Sequence, residues 1–130
     1  MSDLVGIKYT DKGRTTEGVD CWGAVMLWHL NWGTVLPDYS ALYHSAEDSG
    51  SASLCIALAT AGDDWEEIEQ HQAEAGDVLV FRIGGFNSHC GVMINNREFL
   101  HSFPKRNTVI ENLSHPAWGQ RLAGVYRWNG

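Results

Sequence analysis

Long apolar runs, basic residues and paired cysteines are all scarce in this chain, and each shortage removes a class of protein. No stretch approaches the roughly 18 uninterrupted apolar residues of a membrane span, so none is expected. Lys and Arg number 9 against 16 Asp and Glu, and the net charge is −7. An acidic surface attracts neither nucleic acid nor anionic lipid, so neither is an expected partner. The three cysteines, Cys21, Cys55 and Cys90, leave at least one thiol unpaired, and none lies in a Cys-x-x-Cys spacing. A reduced compartment with one special thiol fits this better than a disulfide scaffold. The opening Met1-Ser2-Asp3-Leu4-Val5-Gly6 has neither the basic region nor the apolar core of a signal peptide. The expectation is a product that folds where it is made, or leaves by lysis or within a larger particle.

What is present is a core. Hydrophobic residues make up 44% of 130 residues and include six tryptophans, enough for one packed domain spanning 1–130 without disulfide or metal staples. In Gly18-Val19-Asp20-Cys21-Trp22-Gly23, Asp20 is a good helix N-cap, and the apolar run Ala24-Val25-Met26-Leu27-Trp28 follows at once. The pattern predicts a buried helix from Cys21 to about Asn31 or Trp32, stopped by Gly33. Cys21 then sits in the first turn, where unpaired N–H groups and the positive end of the helix dipole favour a thiolate.

Leu4 to Tyr9 reads as an apolar lead-in and Thr10 to Gly18 as a loop. Ser51 is a candidate N-cap for a second helix over 52–61, and Trp65 and Ile68 sit at helical spacing in an acidic segment that reads as a short surface helix. After Gly76 the period shortens to two. Strands are expected over 77–83, 88–94, 98–103, 108–111 and 125–128, with a helical turn near Trp118. Helices first and consecutive hairpins after them make an α+β fold with an antiparallel sheet of about five strands.

His89 and His101 lie on neighbouring predicted strands. A two-residue loop with Ile94 opposite Arg97 would put them on opposite faces. The loop Asn95-Asn96-Arg97 would put them on one face with Met93, Phe99 and Phe103, and it is the expected loop. Cys90 would then point away from His89, into packing. Two imidazoles facing an activated cysteine have a defined chemistry. The first takes the thiol proton and returns it to a leaving amine, and the second accepts a hydrogen bond that fixes the tautomer of the first. The alternatives are a core histidine beside an edge-strand one, or a zinc site of Cys21, His89 and His101; no tight ligand pair favours the latter.

Gly18-Val19-Asp20-Cys21-Trp22-Gly23, Ala75-Gly76-Asp77-Val78-Leu79-Val80-Phe81, Ser88-His89-Cys90-Gly91-Val92-Met93-Ile94 and Phe99-Leu100-His101 together resemble the NlpC-type cell-wall cysteine peptidases. Val80-Phe81-Arg82, Cys-Trp-Gly and Trp118…Arg121-Leu122-Ala123-Gly124 are similar to the branch found in tailed phages and gene-transfer particles. The resemblance implies a papain-like fold with Cys21 as nucleophile, His89 as general base and acid, and His101 as the orienting residue. It implies no cofactor and no metal. The implied substrate is a peptidoglycan stem peptide, cut between γ-D-glutamyl and a diamino acid. Asp20 matches the position that holds a substrate amine, Tyr9 matches an oxyanion-supporting tyrosine, and Trp22 and Ser88 flank the substrate. Many members carry serine where Trp22 stands, and valine where Cys90 stands. The branch implies tail-tip proteins as partners and a protein made in the bacterial cytoplasm, then incorporated in a phage-like tail. A structural role in such a tail tip, with cleavage dispensable, is the competing expectation.

Overall fold

The computed structural model describes residues 2–130; Met1, where the opening stretch begins, lies outside them. Two short strands, β1 (Arg14–Thr15) and β2 (Gly18–Val19), form a small antiparallel hairpin that delivers the chain to helix α1 (Cys21–Asn31). The Asp20 carboxylate caps this helix by accepting the Gly23 N–H at 2.8 Å. Gly33, at φ +84°, follows the last turn. Helix α2 (Ser49–Ala61) comes next. Its cap is Asp48, which accepts the Ser51 N–H, so it begins three residues before the start read from the sequence. Ser51 was an equally eligible cap by residue type, but its hydroxyl is turned back to the Asp48 carbonyl and to the His44 N–H.

The remaining elements are β3 (Trp65–Ile68), β4 (Val78–Ile83), β5 (Phe86–Met93), β6 (Glu98–His101), β7 (Val109–Asn112), the single-turn α3 (Pro116–Gly119) and β8 (Leu122–Trp128). They build one antiparallel sheet in the order β3-β8-β4-β5-β6-β7. The fold is α+β as expected, with six strands in this sheet rather than about five. The additional one is β3, in the segment read as a surface helix. Residues three apart share a helix face but lie on opposite faces of a strand. Trp65 packs with the core on the α1 side, against Trp128 at 5.0 Å, while Ile68 packs with the core on the other side. Both faces of this sheet are covered, so a pattern that mimics one helical stripe is satisfied twice.

On one face, Ala24, Val25 and Trp28 of α1 meet Val78, Cys90, Val92 and Leu100. On the other, Leu79, Phe81, Met93, Phe99 and Val125 are closed over by Leu113 and Trp118. Asp77, buried just before β4, is held by two hydrogen bonds of 2.8 Å from Arg127 of β8, which ties the start of β4 to β8.

Gly23 has a specific duty. A Cβ there would stand 2.1 Å from the Gly13 carbonyl oxygen, so the hairpin can press against the first turn of α1 only if the side chain is absent. Gly23→Ala is expected to cost roughly 2–4 kcal/mol, read as a lower melting temperature and urea midpoint. An unchanged midpoint would show that the hairpin does not pack this tightly in solution.

Candidate active site

Val92 lies opposite Leu100 and Met93 opposite Phe99, so the β5–β6 loop is Asn95-Asn96-Arg97 and His89 and His101 share a face. Nε2 of His89 stands 2.7 Å from Nδ1 of His101, and Nε2 of His101 stands 2.5 Å from Oε2 of Glu111. His89 and His101 are buried, beneath Trp118, whose ring centroid lies 4.6 Å from that of His101 and 5.5 Å from that of His89.

These contacts assign the protons. A carboxylate only accepts, so Nε2 of His101 carries hydrogen and donates to Glu111. Burial, followed by the neighbouring His89, pushes the pKa of His101 down to about 4, against the pull of Glu111, so the ring is neutral at pH 7 and its Nδ1 is bare. His89 must then donate from Nε2, which leaves its Nδ1 as the basic nitrogen toward Cys21. The two nitrogens share one proton, which is the geometry of a hydrogen bond and not of two ligands on a common ion.

Cys21 opens α1, partly exposed, and packs against the core that holds Cys90 of β5. The neighbouring thiol of Cys90 is the largest influence holding the Cys21 pKa well below the ordinary thiol range. Burial opposes this, and the hydrogen bond and charge of His89, with the Cys90 backbone N–H, add to it. Cys90 is directed away from His89, as strand alternation requires, into the core on the α1 side.

Asp20 is fully buried, and its two oxygens accept from the N–H groups of Gly23 and Lys12, from Arg14 (2.7 Å) and from the Tyr43 hydroxyl (2.6 Å). Asp20, expected from the resemblance to hold a substrate amine, is thus held by four donors of the chain itself. Its charge, which would oppose a thiolate at Cys21, is offset by Arg14. Tyr9 lines a polar cleft with Cys21, Ser88 and His89. Burial, then the negative charges of Cys21 and Asp20, raise its pKa, so its hydroxyl keeps its proton and stays a donor. Trp22 donates from its indole N–H to the Pro37 carbonyl and packs on Tyr39 and Trp65. It forms the wall of a second, apolar cleft shared with Ile56 and Tyr126. Ser88 is buried between the two clefts, and Cys21 lies at their junction.

Glu111 was not singled out in the sequence. It sits opposite Phe99, on the same face as His101, but only the β6–β7 register shows this, and the irregular connection over 102–108 hides that register. Arg14 and Tyr43 were likewise invisible as partners of Asp20.

The buried His101 ties stability to pH. Its folded pKa lies below the ordinary 6.5, so between pH 6.5 and about 4 the unfolded chain takes up a proton that the folded chain refuses. Stability contributed by the neutral ring is therefore present above 6.5 and lost as pH falls through 4, by on the order of 3 kcal/mol. Urea unfolding at pH 7 and 4.5 should show a smaller acid loss for His101→Phe than for the wild type. Equal losses would contradict this.

The family model for the NlpC/P60 family matches residues 6–127. Murein DD-endopeptidase MepS/murein LD-carboxypeptidase of Escherichia coli K12 is 26% identical over 121 residues, covering 92% of this chain and 55% of that protein. The chain thus spans about half the length of this curated relative. An NlpC/P60 family structure from Bacillus cereus ATCC 10987 superposes with a TM-score of 0.67 at 21% identity, over 98% of this chain and 37% of that one. An NLP/P60 family structure from Staphylococcus aureus Mu50, described as similar to lipoprotein, gives 0.65 at 22%, over 96% and 37%. These two carry the fold alone. With the family model covering nearly all of its length, the chain belongs to the NlpC/P60 family.

Proposed function

We propose that this protein is a cysteine endopeptidase of peptidoglycan stem peptides, with Cys21, His89 and His101 as its catalytic residues. The observation that carries the reading is the hydrogen-bonded line Glu111–His101–His89 ending on a sulfur at the meeting point of two clefts. In the reaction, Nδ1 of His89 takes the thiol proton and the Cys21 sulfur attacks the amide carbon. The oxyanion is met by the Cys21 backbone N–H, which has no intrahelical acceptor, and by the Tyr9 hydroxyl. His89 returns its proton to the leaving amine, then activates a water that hydrolyses the thioester. The similarity to a named murein endopeptidase supports the substrate class. The bond proposed is that between γ-D-glutamyl and the diamino acid.

Mass spectrometry of defined muropeptides after digestion tests this. Products split after γ-D-glutamate are expected; cleavage only at other bonds, or none, would overturn it. The domain is further proposed to act in a phage-type tail tip, supported by the motif likeness at Cys21-Trp22-Gly23 and Val80-Phe81-Arg82. One observation favours the assembly reading instead: α2 holds no charged residue and leaves Leu54 and Leu58 exposed. Particles bearing Cys21→Ala that assemble but fail to open the wall support the enzyme. Normal infection by them supports the assembly role.

A further inference from the structure

The chain's three cysteines come from α1, α2 and β5, yet all three line the same apolar cleft, and none is in a disulfide. Within it the contacts are unequal. Cys90 belongs to the buried cluster that Cys21 packs against, whereas Cys55, on the α2 wall, lies outside that cluster. Cys21 also borders the polar cleft, so a small solute reaches it, while Cys90 is 4% exposed.

We propose that Cys90 is the resolving thiol of a redox switch, closing a reversible Cys21–Cys90 disulfide that disarms the nucleophile and shields it from irreversible oxidation. The proposal rests on the reading of Cys21 as the nucleophile. The oxidant is hydrogen peroxide. The Cys21 thiolate attacks one peroxide oxygen, the O–O bond breaks, and sulfenic acid and hydroxide result. Cys90 then attacks that sulfur, its proton leaves with the expelled hydroxide as water, and the S–S bond forms. Two thiols have given two electrons to one peroxide, and a dithiol returns them by exchange.

The surroundings suit the order of events. Cys21 is the sulfur held as thiolate, so it reacts first. The neighbouring Cys21, burial and the charge of Cys21 all keep the Cys90 proton on. Once Cys21 is a neutral sulfenic acid, its charge no longer holds that proton in place. Valine at this position would fill the same space without this chemistry.

Peroxide treatment of the reduced chain, followed by intact-mass measurement and peptide mapping, tests the proposal without reference to activity. The wild type is expected to lose the mass of two hydrogens, to yield one joined Cys21–Cys90 peptide pair, and to return to the reduced mass with dithiothreitol. Cys90→Val is expected to gain oxygen at Cys21 that dithiothreitol does not remove. Oxygen accumulating on Cys21 of the wild type without a cross-link would overturn the proposal, as would a cross-link to Cys55. If Cys90→Val does not fold, Cys90→Ala takes its place, and the wild-type map alone still decides. A cross-link in a protein that cleaves no muropeptide would retain the thiol pair and remove the hydrolase.

Discussion

Protein carrying Cys21→Ala is expected to release no stem-peptide fragments from sacculi under conditions in which the wild type releases them readily. The loss should be at least about 10⁴-fold, because removing the nucleophile removes the covalent route itself and leaves only binding and oxyanion contacts. Stability should scarcely change. Alanine is a good residue at the head of α1, and the cap from Asp20 to Gly23 does not involve the sulfur. A folded, inactive variant separates this role from a structural one; a folded variant retaining a tenth of the activity would end the claim for Cys21.

The second large effect belongs to the pair behind the base. His101→Leu removes the acceptor of the His89 Nε2–H and leaves the Glu111 carboxylate unpartnered, so His89 is free to rotate or to carry its proton on the wrong nitrogen. A fall in kcat of about 10²–10⁴-fold with KM little changed is expected. In the proposed reaction Glu111 acts through His101, as a positioning residue. Glu111→Gln keeps the shape and offers either an oxygen or an N–H to His101, so the tautomer is no longer imposed. It should cost roughly tenfold in kcat, and Glu111→Asp should recover part of it. The readout a packing defect would not give is imidazole nitrogen NMR. In the wild type His89 should carry its proton on Nε2, and in Glu111→Gln the two tautomers should mix. An unmixed spectrum with full activity would remove Glu111 from the site.

The cysteine helix was legible because its signals are local: a capping aspartate, an apolar run and a terminating glycine lie within fourteen residues. The shared face of His89 and His101 was legible because one short loop decides it. Beyond such reach the sequence alone does not discriminate. Trp65 and Ile68 fit one face of a helix, but they become the two faces of an outer strand because β8, sixty residues later, is there to pair with it. Nothing nearby in the chain shows that Arg14 and Tyr43 fold onto Asp20. Glu111 and the thiol contact of Cys90 are products of packing between distant segments, each ordinary by residue type.

The proposed chemistry depends on a sulfur made nucleophilic by what surrounds it. Following the rate of Cys21 alkylation against pH, with the Cys21 peptide quantified by mass spectrometry, measures that state directly. The rate should reach half its plateau well below the ordinary thiol value of roughly 8.5, and His89→Ala should move that midpoint upward. A wild-type midpoint at the ordinary value, unmoved by His89→Ala, would contradict it.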